Sequence, residues 1–125
     1  MKYLLDSNIV IMLALGTGDA LRARLAECDA GDLVTSAIVL AEVARGSLNE
    51  KPPAPDELRT ILEEVPVLPF EEQAALAYAI LPFRRASYDR LIAAHALALN
   101  LTLVTANERD FADIRGLRVE NWTAA

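Results

Sequence analysis

Hydrophobic positions in this chain fall into short continuous runs separated by longer stretches in which apolar residues recur every three or four positions. From Tyr3 to Leu15 the chain is apolar except for one break, Asp6-Ser7-Asn8. The part before the break reads as a buried strand over residues 2–5. The part after it reads as a short helix reaching about residue 15, with Ser7 or Asn8 as its cap. Residues 16–19 are a turn. Leu21, Leu25 and Cys28 are spaced as on one helix face over 20–30. A brief strand follows at 33–35, then an apolar helix over 37–45 that Gly46 is expected to stop.

The proline-rich stretch 49–55 cannot be regular structure. Beyond it the pattern predicts a polar helix over 56–64 and a strand within 65–70, which two prolines assign to a sheet edge. A helix over 71–81 is limited by Pro82. A strongly apolar helix over 90–99 opens at Ser87 or Asp89 and closes at Asn100. Strands are predicted at 101–105 and 117–120, with a polar loop over 106–113 between them. Strands alternating with helices mean an α/β domain, a parallel sheet of about five strands covered by helices on both faces.

Composition narrows this picture. With 125 residues and 54% apolar content, residues 1–125 are expected to be one core-rich domain. A single cysteine, Cys28, allows no internal disulfide and suits a reducing cytoplasm. No apolar segment reaches membrane-spanning length, so no membrane association is expected. The net charge of −6 argues against a protein that coats nucleic acid by basic charge alone. It leaves open an enzyme that meets phosphate through bound cations.

Most of the 18 carboxylates occupy polar faces or helix starts. Three do not. Asp6 interrupts the opening apolar run, Glu42 is the only charge within Ala37-Ile-Val-Leu-Ala-Glu-Val-Ala44, and Asp89 stands before Leu91-Ile-Ala-Ala94. A charge in apolar surroundings is costly unless it is paired or binds a metal. Simpler roles exist: Asp6 or Asp89 as helix caps, and Glu42 paired with Arg45. If the first and fourth strands are neighbours, however, the three acids and Asn107 converge at one end of the sheet. An oxygen-only set of this kind suits a hard cation such as Mg²⁺, and one His with one Cys is too few for an ordinary structural zinc site. The chemistry implied is metal-dependent hydrolysis of a phosphodiester in nucleic acid.

Five stretches resemble a PIN domain: Tyr3-Leu-Leu-Asp-Ser-Asn-Ile9, Thr35-Ser-Ala-Ile-Val-Leu-Ala-Glu-Val-Ala-Arg-Gly46, Tyr88-Asp-Arg-Leu-Ile-Ala-Ala-His-Ala96, Leu103-Val-Thr-Ala-Asn107 and Asp110-Phe111. They are most similar to the VapC-type toxins of type II toxin–antitoxin systems, in order and spacing, nearly end to end. The resemblance implies a three-layer α/β/α fold and a Mg²⁺- or Mn²⁺-dependent endoribonuclease. It also implies a homodimer that is restrained by a VapB-type antitoxin. By position, Asp6, Glu42 and Asp89 match the family's metal-binding and catalytic acids, and Asn107 matches a fourth catalytic place that is Asp or Asn in relatives. Ser7, Asn8 and Thr105 match supporting polar neighbours, and Asp110 is a further supporting acid. The stretch from Phe70 to Asp89 is about two helical turns shorter than the family pattern and lacks its glycine-containing approach to the third acid.

Arg84, Arg85 and Arg90 flank Asp89 and are candidates for receiving substrate phosphate, since the guanidinium fork matches phosphate oxygens. His95 does not share a helix face with Asp89 and is expected to be structural. Two other readings compete. A phosphate-accepting receiver domain would want an acid pair at the first strand tip and a late lysine, but the only lysines are Lys2 and Lys51. A PIN-like binding module without catalysis would keep the fold and lose metal affinity.

Overall fold

The computed structural model describes residues 1–82 and 87–123. Its elements run β1 (Tyr3–Leu5), α1 (Ser7–Leu15), α2 (Asp19–Ala26), β2 (Leu33–Ser36), α3 (Ala37–Leu48), α4 (Pro55–Glu64), β3 (Val67–Leu68), α5 (Glu72–Ala79), α6 (Tyr88–Ala98), β4 (Thr102–Val104) and β5 (Val119–Glu120), with a 3₁₀ turn at Glu108–Phe111. The strands form one sheet in the order β3-β2-β1-β4-β5, and every neighbouring pair is parallel. Helices α1, α3 and α4 pack on one another, while α5 packs on α6. This gives the helical layers expected when right-handed crossovers run outward to β3 and then back across β1 to β4. Leu4, Leu5, Leu103 and Val104 are fully buried, as strands covered on both faces require.

The register fixes where the chain's polar breaks fall. Leu5 is level with Thr35 on β2 and with Val104 on β4. Asp6, Ser36 and Thr105 therefore stand side by side at the carboxyl ends of the three central strands. Between β1 and β4 the strand order reverses, which opens the crevice where open α/β sheets bind ligands. Among the described residues, no helix is long and apolar enough to cross a membrane.

The structure departs from the sequence expectation in several places. Helix α3 does not stop at Gly46 but continues to Leu48, with Asn49 as its cap. Gly46 does not take the left-handed backbone that ends helices. Extending α3 buries Ser47, whose hydroxyl donates to the Pro53 carbonyl at 2.6 Å and clamps the proline-rich loop to the helix. Helix α2 ends at Ala26, short of residue 30. The 65–70 strand shrinks to Val67–Leu68 at the sheet edge, the position that its prolines impose. Asn100 closes α6 with φ of 56°, the left-handed turn that Asn tolerates.

Arg90 also differs from expectation. It is 6% exposed, and its Nη2 lies 2.6 Å from Asp113 Oδ2. It is thus engaged in the fold rather than free for substrate. Its partner sits 23 residues further on, past β4. Arg84 and Arg85 lie outside the described residues. Arg90 Nη1 is buried and has no hydrogen-bond partner among the described residues. Removing Asp113 therefore leaves a buried guanidinium with its main compensation gone. The Asp113 side chain is 29% exposed, so the expected cost of Asp113→Ala is about 2 kcal/mol, below the ~3–5 kcal/mol of a fully buried pair. Arg90→Met, which also removes the buried charge, is expected to cost less. Urea denaturation midpoints of the two variants rank them, and an Asp113→Ala variant as stable as the parent contradicts the account.

Candidate active site

Asp6 is the best-fixed acid in the molecule. Its backbone amide continues the ladder by donating to the Val104 carbonyl at 2.9 Å. Its side chain caps α1, with Oδ1 accepting from the Ser7 amide at 2.8 Å, and Oδ2 accepts from the Thr105 hydroxyl at 2.7 Å. The helix cap is therefore Asp6 itself, one residue before the expected Ser7 or Asn8. Capping and site membership turn out to be one arrangement, since each carboxylate oxygen keeps a further lone pair. Asp6 is 4% exposed. Burial raises its pKa above the ordinary carboxylate value, against the Thr105 and Ser7 hydrogen bonds; Glu42 and Asp110 add repulsion in the same direction as burial.

Glu42 reaches the same place from α3. The Ser7 hydroxyl donates to its Oε1, so Ser7 binds Asp6 through its backbone and Glu42 through its side chain. This contact, rather than an ion pair with Arg45, accounts for the lone charge within α3. Asp89, in the first turn of α6, is partly buried, and its pKa is pushed up to about 6. Burial is the main cause, followed by repulsion from Asp6, Asp110 and Glu42; Arg90 is the opposing charge.

The fourth side of the crevice is the turn after β4. Thr105 is fully buried, and its Oγ1 both donates to Asp6 and accepts from the Asn107 amide at 3.1 Å. Asn8 Oδ1 accepts from the Ala106 amide at 3.2 Å, which ties the start of α1 to this turn. Asn107 is exposed and precedes the 3₁₀ turn that carries Asp110. It meets the site through its backbone amide, which donates to Thr105 Oγ1. Asp110 is the residue of this turn whose charge acts on both Asp6 and Asp89. Sequence alone places Asp110 only as a support, because it lies in a polar loop where an acid is unremarkable.

A second polar contact links the acid-bearing helices lower down. His95 on α6 is 1% exposed, and its Nδ1 lies 2.7 Å from Oγ of Ser36, the residue that caps α3 by accepting from the Ile38 amide. Burial holds the imidazole pKa below its usual value, against the Pro69 carbonyl and Glu71. His95 is thus a neutral tether, the structural part expected for it.

The residues suit a hard divalent cation. All four acids offer oxygen only and come from four different elements, and among the described residues Arg90 is the charge that opposes their repulsion at Asp89. Among the described residues, no three His, Cys, Asp or Glu side chains stand close enough to hold an ion by themselves. The arrangement therefore fits binding through one or two carboxylates with water completing the shell, which is the habit of Mg²⁺, better than a closed three-ligand cage.

Comparison with known proteins identifies the family that shares this fold. The PIN domain family pattern matches residues 3–117. The tRNA(fMet)-specific endonuclease VapC of Salmonella typhimurium is 30% identical, with 98% of each chain aligned. Ribonuclease VapC2 of Haemophilus influenzae is 29% identical over 98% of each chain. Among solved structures, VapBC2 from Rickettsia felis, bound to a DNA fragment from its promoter, contains a chain that superposes with a TM-score of 0.85. That chain is 28% identical, and the match covers 98% of this chain and 99% of the other. In VapBC-1 from nontypeable Haemophilus influenzae the values are 0.81 and 30%, covering 99% and 100%. The chain therefore belongs to the PIN domain family, among its VapC-type members.

Proposed function

We propose that residues 1–125 form a single PIN domain acting in the cytoplasm as a Mg²⁺- or Mn²⁺-dependent endoribonuclease. In this reading it is the toxin of a VapBC-type pair, a homodimer held in check by a VapB-type antitoxin. The observation that supports the reading is that Asp6, Glu42, Asp89 and Asp110 act on one another at the β1/β4 switch point, where burial, with their mutual repulsion added, raises the pKa of Asp6 and Asp89. The full-length similarity to VapC ribonucleases and to VapBC complexes supports the same reading.

A bound divalent cation supplies Lewis acidity toward the phosphodiester and the attacking water. The protein's part is to hold ligands and control their protons. Asp6 is the anchoring ligand, fixed in direction by Ser7 and Thr105. Glu42 is a second ligand, oriented by the Ser7 hydroxyl. Asp89 would face the bound cation through its water shell, and it must lose its proton before it can act there. Asn107 and Asp110 complete the rim, with Asn8 and Thr105 keeping the turn after β4 in register with α1.

Asp6→Asn and Glu42→Gln are each expected to reduce RNA cleavage by more than ~100-fold while the far-UV spectrum and fold are retained, since even residues behind metal ligands contribute ~10–100-fold. EDTA is expected to stop the reaction. Cleavage indifferent to both substitutions and to EDTA contradicts the proposal. A PIN-like module without catalysis would instead show no Mn²⁺ binding by calorimetry.

The raised pKa of Asp89 gives a second prediction. Its carboxyl binds a proton more tightly folded than unfolded, so its contribution to stability falls as pH rises from about 4 through about 6. Above that range the repulsion is fully present. In EDTA, Asp89→Asn is therefore expected to melt higher than the parent at pH 7, and the difference should shrink at pH 4. Mn²⁺ should raise the melting temperature of the parent more than that of the variant, and its affinity should decline below about pH 6. An Asp89→Asn variant no more stable than the parent at pH 7 contradicts the assigned repulsion.

A further inference from the structure

Next to the acids lies a cleft of about 470 Å³ that the four-acid site does not account for. One end is walled by Ser7, Ile11 and Glu42. From there it follows one face of α3 past Arg45, Gly46 and Asn49 to Lys51 in the proline-rich loop. Positions 42, 45, 46 and 49 share that helix face, so the cleft runs about 10 Å along α3 at 1.5 Å per residue.

The loop is held where it is. The amides of Asn49 and Lys51 both donate to the Gly46 carbonyl, at 3.0 and 2.9 Å, and Ser47 donates to Pro53. Lys51 is thus set against α3 by its backbone, while its side chain stays exposed. Arg45 is exposed as well. Neither cation has an ion-pair partner among the described residues, so both charges face the cleft.

This is unusual placement in a chain of net charge −6 with only two lysines. Two unpaired cations and an amide side chain line the approach to a site made of acids. A polyanion meets repulsion at the acids themselves until a cation is bound, and it needs positive charge beside them. Lys2, by contrast, precedes β1 at the amino end of the sheet, opposite the site.

We propose that this cleft is a binding track for the sugar–phosphate backbone of single-stranded RNA on one side of the cleaved bond. Arg45 contacts the phosphate nearer the acids and Lys51 one farther along. Asn49 offers a donor and an acceptor between them, and the glycine at 46 leaves the wall free of a side chain. This inference rests on the ribonuclease reading, and it adds where the substrate lies.

The test compares Arg45→Ala, Lys51→Ala and Lys51→Glu with Lys2→Ala, which removes the same charge at the far end of the sheet. Two measurements are made on the full chain. One is kcat and KM for RNA cleavage with Mn²⁺. The other is the affinity for a fluorescent single-stranded RNA in EDTA, by anisotropy, at salt concentrations from low to physiological. Each cleft variant is expected to raise KM several-fold, with kcat within about twofold, and Lys51→Glu should act more strongly than Lys51→Ala. Each alanine variant should flatten the dependence of log affinity on log salt by ~0.7, one phosphate contact's worth for a single strand. Lys2→Ala should do neither.

Cleft variants that cleave and bind RNA as Lys2→Ala does overturn the track and leave the ribonuclease reading standing. A parent protein that neither binds nor cleaves RNA overturns both. Variants that keep RNA affinity but lose affinity for a bound antitoxin assign the cleft to a protein partner and also overturn the proposal.

Discussion

The Asp6 carboxylate is the constraint on which the rest of this structure depends. It is a buried charge whose two oxygens are held by the Ser7 amide on one side and the Thr105 hydroxyl on the other. Those bonds join the tip of β1, the start of α1 and the turn after β4 at one atom group. Burying such a charge is unfavourable unless it is well hydrogen-bonded. Two bonds offset part of that cost, and the raised pKa shows that they do not offset all of it. The remainder is energy that a cation can recover, so the strain and the proposed function share one origin.

The neighbouring acids extend the same logic. Glu42 is linked to Asp6 through Ser7, and Asp89 is linked to both by repulsion across the crevice. Their separate supports matter because each acid sits on a different element, and a cluster assembled from four elements is only as precise as the packing between them. The contact of His95 with Ser36 is one place where that packing is fixed, since it joins α6, which bears Asp89, to the cap of α3, which bears Glu42. A neutral imidazole suits this task, because a charged ring buried there would add desolvation cost to every site contact it supports.

Legibility in the sequence followed how local each signal was. The five parallel strands could be read from apolar runs, and the edge position of β3 from its prolines. Asp6 and Glu42 stood out because each was a lone charge in apolar sequence. Three features could not be read. The end of α3 was misplaced because Gly46 is a stop signal only when its backbone turns left-handed. Here the burial of Ser47 and its bond to Pro53 favour two more helical residues. Arg90 looked available to substrate because its partner, Asp113, lies across a strand and a turn from it. Asp110 could be placed only as a supporting acid, because only the fold brings its charge to bear on both Asp6 and Asp89.

The same distinction explains why the charge balance of the whole chain is a poor guide to what it binds. A net charge of −6 counts acids that are spread over polar faces together with four concentrated in one crevice. Interactions between exposed charges are screened beyond about 8–10 Å at moderate salt, so a polyanion approaching the crevice responds to the charges within that distance. Along the α3 side the charges that line the cleft beside it are Glu42, Arg45 and Lys51. A divalent cation seated among the acids would offset part of their charge and present a positive centre to the substrate, whatever the total. The acidic chain and an anionic substrate are therefore compatible, provided a metal is seated among the acids and Arg45 and Lys51 line the approach to them.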